Sequence, residues 1–194
     1  MLDTHARKYV NPLIEVGAKF FLRCKLSANN VTILALLLGI STAVFIYFDM
    51  GIIAVIILWL SGYLDAVDGA IARSTNTSSS FGTLLDIVSD RIVEISMILV
   101  LGFKFVDVRF NLIVLTTCIL ISMTVFLTVG ALTEKKGMKS FYYQAGVAER
   151  SEGFILFSLM ILLPNYLGII TNIFSLLVLI TATQRFLEAK KILS

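Results

Sequence analysis

Long apolar runs, broken at intervals by Gly, Asn, Asp and Pro, set the pattern of this chain. Six runs stand out, near residues 31–49, 51–73, 81–103, 110–133, 148–163 and 166–187. At about 1.5 Å rise per residue, most are long enough for a helix to cross a ~30 Å hydrocarbon core. The fifth is the shortest. Asp49 to Gly51 and Pro164 to Tyr166 are very short breaks, which implies antiparallel neighbours in a helical bundle. Two other connections, Ser74 to Ser80 and Glu134 to Arg150, are longer and polar, and such loops are where substrate contacts are sought. No internal repeat is visible. The pattern predicts an all-α membrane protein: one domain over 1–194, with a six-helix bundle over 31–187.

The arm ahead of the first run has a different period. Leu2, Ala6, Tyr9, Val10, Leu13, Val16, Gly17 and Phe20 form one broad helical stripe, with charges on much of the remainder. This predicts an amphipathic helix over 1–24. It either lies in the membrane interface or packs on the bundle. The arm lacks the order of a signal peptide and is expected to remain in the mature protein. His5, the only histidine, has no evident partner in the pattern and is read as a solvated or headgroup-level residue.

Composition agrees with the membrane reading. The 194 residues are 58% hydrophobic and only 15% charged, against about 25% charged in soluble domains. Mean hydropathy is +0.93. A net charge of +3 is too small to argue for nucleic acid. Cys24 and Cys118 lack metal-ligand spacing and read as small apolar fillers. Position is more telling than total charge. Of the 16 Lys and Arg, only Lys104 and Arg109 fall on the side opposite the arm, while Arg91 lies within a run. That bias predicts both termini on the cytosolic side and an even number of spans.

The chemistry concentrates between Gly62 and Glu94. Asp65, Asp68, Asp86, Asp90 and Glu94 all lie within or beside apolar runs, where a carboxylate costs a few kcal/mol or more unless it faces a partner or a cavity. At 100° per residue, Gly62, Asp65, Asp68, Gly69, Ala72 and Arg73 share one sector of a helix. Gly82, Asp86 and Asp90 share a stripe on the next. The interleaved small residues permit close approach of a helix or a bulky ligand. Facing carboxylates repel unless cations neutralise them, and oxygen-only ligation favours hard divalent ions. Arg73 adds a bidentate phosphate donor. These residues point to metal-dependent phosphoryl transfer at the cytosolic interface. Glu94, off the pattern, is expected to pair with Arg91 or a neighbouring helix.

Asp65-x-x-Asp68-Gly69-x-x-Ala72-Arg73, eight residues, then Gly82-x-x-x-Asp86-x-x-x-Asp90 resembles the CDP-alcohol phosphotransferase signature at every defined position. Lys25-Leu-Ser-Ala-Asn-Asn-Val-Thr32 is similar to that family's Thr-Pro-Asn-x-x-Thr lead into its first span, with Ala28 in place of proline. The resemblance implies a six-span bundle, a homodimer, and transfer of the phosphoalcohol group of a CDP-linked lipid to a polar alcohol with release of CMP. It implies two divalent metal ions, Mg²⁺ or Mn²⁺, with Ca²⁺ substituting or inhibiting. Asp65, Asp68, Asp86 and Asp90 would hold them, and Asp90 would also be the general base. Asp65, Asp68, Gly69, Ala72, Arg73, Gly82, Asn29 and Thr32 would border the CDP moiety.

The segment Glu134 to Arg150 is basic and aromatic-bearing, and Gly146 to Arg150 is similar to a stretch of the inositol-phosphate-transferring members. Lys135, Lys139 and Arg150 are therefore candidates for binding a phosphorylated acceptor such as inositol phosphate or glycerol phosphate. The other reading makes them topology signals or contacts to anionic lipid headgroups. Two further classes also place carboxylates in a membrane. An intramembrane prenyltransferase would carry its aspartates on distant helices and release diphosphate. An ion- or proton-coupled transporter would leave Arg73 and the glycines unexplained.

Overall fold

Helix boundaries follow from local signals in the sequence. The computed structural model describes residues 2–132 and 150–193, with side chains from residue 10 onward except that of 192. Seven α-helices occupy the described residues: α1 (Leu2–Arg23), α2 (Ala28–Tyr47), α3 (Gly51–Ser74), α4 (Ser80–Lys104), α5 (Arg109–Leu132), α6 (Arg150–Leu162) and α7 (Leu167–Leu193). There is no strand among them. Ser27 caps α2, its side chain accepting from the Asn30 N–H at 3.3 Å. Ser79 does the same for α4, accepting from Gly82 N–H at 3.0 Å. Three helices end on a left-handed residue: Lys25 (φ 59°), Asp49 (φ 60°) and Asn76 (φ 54°). Each is followed by an N–H that bonds back into the last turn, such as Thr77 N to Ala72 O at 3.0 Å. Asp and Asn tolerate that conformation; Lys25 does so less readily.

The chain divides into two compact units, one of His5–Lys104 with α1 to α4 and one from Phe105 onward with α5 to α7. In the first, α2 packs against both α3 and α4. Gly39 is the point of closest approach. A Cβ there would overlap Val93 of α4 and come within 2.9 Å of Ser61 Oγ of α3. Ser61 in turn donates to the Ala35 carbonyl of α2 at 2.8 Å. At the other end of α2, Lys104 Nζ caps its final carbonyls, Ile46 O at 2.9 Å and Tyr47 O at 3.1 Å, and pairs with Asp49. In the second unit, α7 packs on α5 and α6. Phe157 and Phe174 meet edge to face there, with ring centroids 5.2 Å apart.

One side of the arm packs on α2 and α3, one of the two placements expected for it. Ile14, Ala18 and Phe21 of α1 pack into a core with Val31, Ala35, Leu64, Val67 and Ile71. Gly17 sits against Tyr63 and Val67, and Tyr63 Oη donates to Leu13 O at 2.9 Å. Leu13, Val16 and Phe20 stay exposed beside them, as an interfacial helix requires.

Four of the six expected spans are helical stretches long and apolar enough to cross a membrane: Ala28–Tyr47, Gly51–Ser74, Val106–Leu132 and Pro164–Lys191. Their outward residues, Leu37, Ile52, Ile56 and Ile113 among them, are exposed large hydrophobics, which suits lipid contact. The chain is a membrane protein. Helix α4 has the length of a span but carries Asp86, Asp90, Arg91 and Glu94, and α6 has 13 described residues.

The approach at Gly39 yields a test. Gly39→Leu should destabilise the detergent-solubilised protein by about 1–3 kcal/mol, the usual cost of overpacking. Shortening the opposing side chain with Val93→Ala should recover part of that loss in the double variant, as thermal unfolding would show. Independent, additive losses would mean that the two positions do not meet.

Candidate metal and phosphate site

Within the first unit, Asp65 and Asp68 of α3 are 7% and 6% exposed, and Asp86 of α4 is half-buried. One carboxylate oxygen from each lies within 4.8 Å of the others. The i, i+3 spacing puts the first two on one face of α3, and α2 sets the position of α4 beside it. Three carboxylates so close, two of them buried, repel strongly when ionised. A hard divalent cation with all-oxygen ligation relieves that repulsion, so the donor set fits Mg²⁺ or Mn²⁺. Remaining coordination positions would fall to other oxygens.

Asp90 lies one turn further along α4 and does not join the three. Its Oδ2 is 4.0 Å from Arg91 Nη2. Arg91 Nη1 bonds Glu94, which bears out the pairing expected for Glu94.

The small residues of the motif lie where a ligand needs room. A Cβ on Gly69 would come 3.1 Å from Nη1 of Arg73, so the guanidinium folds back over that glycine. Around Gly82, a Cβ would meet Ser79 Oγ at 3.2 Å and Asn29 Oδ1 at 3.3 Å. Asn29, in the first turn of α2, thus stands directly beside the motif glycine of α4. Thr32 is buried and donates to Ala28 O at 3.0 Å, so its hydroxyl hydrogen bonds within its own helix. Ala72 is half-buried on α3. Lys135 and Lys139 lie outside the described residues. Arg150 opens α6 in the second unit, its guanidinium 5.9 Å from the centre of the Phe154 ring.

The charge count along the chain treats Arg185 as a topology signal, yet it is only 8% exposed. It lies over the Phe126 ring of α5 at 4.8 Å, with Nη1 3.4 Å from Ser122 Oγ. Its register was a usable signal. Val178, Ala182, Arg185 and Ala189 fall on one buried stripe of α7.

A membrane-embedded helical fold with clustered carboxylates, small residues around them and an arginine beside them defines a metal-dependent enzyme acting on a phosphorylated substrate. The comparisons agree. The family model for CDP-alcohol phosphatidyltransferase matches residues 25–184, and the chain belongs to that family. It is 32% identical to archaetidylinositol phosphate synthase of Pyrococcus horikoshii, over 98% of this chain and 97% of that one. It is 30% identical to phosphatidylinositol phosphate synthase of Corynebacterium glutamicum, over 48% and 43%. Among solved structures, phosphatidylinositol phosphate synthase of Mycobacterium tuberculosis with CDP-DAG bound superposes with a TM-score of 0.71 at 23% identity, covering 92% of this chain and 94% of that one. The same enzyme has been solved with manganese and citrate (TM-score 0.70, 21% identity, 89% and 87% covered). These structural matches carry the fold. The chain is a transferase of phospholipid synthesis that uses a CDP-linked lipid and releases CMP.

Chelation with EDTA should abolish turnover, with Mn²⁺ or Mg²⁺ restoring it. Asp65→Asn and Asp86→Asn should each lower Mn²⁺ affinity in a direct binding measurement, since each weakens a ligand. Full activity after exhaustive dialysis against EDTA would rule the metal out.

Proposed function

We propose that this enzyme transfers the phosphatidyl-type group of its CDP-lipid to a phosphorylated polar alcohol, with inositol phosphate as the acceptor. The convergence of Asp65, Asp68 and Asp86 supports the transferase chemistry. The acceptor reading is supported by full-length similarity to an archaetidylinositol phosphate synthase. Lys135, Lys139 and Arg150 are the residues proposed to bind the acceptor's phosphate, and glycerol phosphate is the competing acceptor.

In this reading Asp65, Asp68, Asp86 and Asp90 hold two divalent ions, Mg²⁺ or Mn²⁺, which neutralise charge on the phosphates when bound. Gly69, Ala72 and Gly82 leave space for the cytidine half, which Asn29, Thr32 and Arg73 flank. The acceptor oxygen bonds to the phosphorus of the lipid's phosphate. The bond from that phosphorus to the bridging oxygen breaks, and the oxygen leaves with CMP. The acceptor's proton goes to Asp90. A base must stand within reach of that proton, and no histidine lies in the spans.

The same reading makes α4 and the apolar run that contains α6 the remaining two spans of a six-helix bundle within a single domain over 1–194. It places the site and both termini on the cytosolic side and pairs the chain as a homodimer. The distribution of Lys and Arg supports the sidedness.

Two measurements test it. Labelled CDP-diacylglycerol supplied with inositol phosphate, inositol or glycerol phosphate should yield CMP and a new lipid with inositol phosphate. Product from glycerol phosphate alone would reassign the acceptor. Asp90→Asn should keep CDP-lipid binding while kcat falls by about 10²-fold or more, the usual range for loss of a general base. Turnover within a few-fold of the parent would remove Asp90 from that role.

A further inference from the structure

Tyr63 precedes the Leu64-Asp65 pair on α3 and takes no part in the chemistry above. Its Oη donates to the Leu13 carbonyl of α1 at 2.9 Å, across 50 residues of chain. The ring has a fitted seat on that helix. A Cβ on Gly17 of α1 would overlap the Tyr63 hydroxyl and come within 2.9 Å of Val67 Cγ2. Beside that contact, Ala18 of α1 shares one buried cluster with Leu64, Val67 and Ile71 of α3, and Ile14 and Phe21 pack against it. Those α3 residues alternate with the buried Asp65 and Asp68 along the same stretch of helix. At 100° per residue, Tyr63, Leu64, Val67 and Ile71 occupy the sector next to that of the two aspartates. One short length of α3 therefore grips α1 with one side and presents two carboxylates with the other.

We propose that Tyr63 is a positioning residue of the metal site: its clasp on α1 fixes how α3 presents Asp65 and Asp68 to the ion. Close-packed interiors transmit strain, so a shift of the face that seats α1 is carried to the face that bears the ligands. The carboxylates demand such restraint. Their mutual repulsion pushes on α3 when they are ionised, and a metal site must hold its oxygens within about 0.5 Å of the productive geometry. A phenolic hydroxyl bonded to a helix carbonyl adds a direction that apolar packing alone lacks. The proposal rests on the reading of Asp65, Asp68 and Asp86 as metal ligands, and the experiment separates the two.

The test reads binding, not turnover. The full-length protein in phosphatidylcholine nanodiscs, without substrate, is titrated with Mn²⁺ against empty discs. Free ion is followed by electron paramagnetic resonance, and the unfolding temperature is recorded beside it. Tyr63→Phe keeps the ring and removes the bond to Leu13. It should weaken Mn²⁺ affinity about tenfold, the low end of the loss when a ligand's support is removed. Gly17→Ala drives the hydroxyl off the Leu13 carbonyl and should weaken affinity at least as much. The two losses should not add: with no hydroxyl to displace, Gly17→Ala in the Tyr63→Phe background should cost less than about twofold more. Phe174→Leu loosens the Phe157 contact of the second unit and should leave Mn²⁺ affinity at the parent value, however far the unfolding temperature falls. Parent-like affinity in Tyr63→Phe overturns the proposal; should that variant fail to fold, Gly17→Ala decides by the same criterion. An equal loss in Phe174→Leu also overturns it, since affinity would then follow stability alone. A parent that binds no Mn²⁺ sinks the metal reading and the proposal with it, whereas a binding parent with an unchanged Tyr63→Phe sinks only the role of Tyr63.

Discussion

Like charges within 4.8 Å in an apolar helical unit are the constraint on which the first half of this chain depends. Asp65 and Asp68 are almost wholly buried, and neither ionised burial nor mutual approach is favourable without a counter-charge. The surrounding packing holds them there. Helix α2 touches both α3 and α4, through Ser61 on one side and Val93 on the other, with Gly39 between. That contact sets how far Asp86 stands from Asp65 and Asp68. At the far end of the same helices, Lys104 ties the last turn of α2 to the end of α4. Side-chain hydrogen bonds to the carbonyls of α2 and a close-packed glycine thus fix the distance on which metal binding turns.

Much of this was legible in the sequence. Periodicity alone put Asp65 and Asp68 on one face and Asp86 on a neighbouring helix, because spacing along a helix translates directly into direction. The amphipathic arm was legible too, though not which part of its stripe packs on α2 and α3. One side of α1 packs on Leu64, Val67 and Ile71 while Leu13, Val16 and Phe20 remain outside. A stripe wide enough for both surfaces cannot be divided between them by pattern alone.

Two features were hidden for different reasons. That Asp65, Asp68 and Asp86 gather without Asp90 is a matter of side-chain conformation, whereas Asp86 and Asp90 share a stripe whatever those conformations are. Arg185 was masked by its company. It lies near Lys190 and Lys191, which are exposed, and a rule that counts basic residues near a helix end weighs all three alike. Burial distinguishes them: α7 turns Arg185 onto the same side as Ala182 and Ala189 and sets it over Phe126.

That arginine completes the electrostatic logic of the chain. An arginine withdrawn from water in a membrane protein carries a cost, which the Phe126 face and the Ser122 hydroxyl help to offset. Lysine in its place would be a compact, strongly hydrated charge, whereas guanidinium spreads its charge over a plane that stacks on Phe126 and still offers donors at its edge. Such a group suits recognition of a phosphate, which takes two parallel N–H bonds in one approach. The two units therefore bury charge of opposite sign for complementary reasons. Carboxylates in the first require cations, and the guanidinium in the second suits an anion.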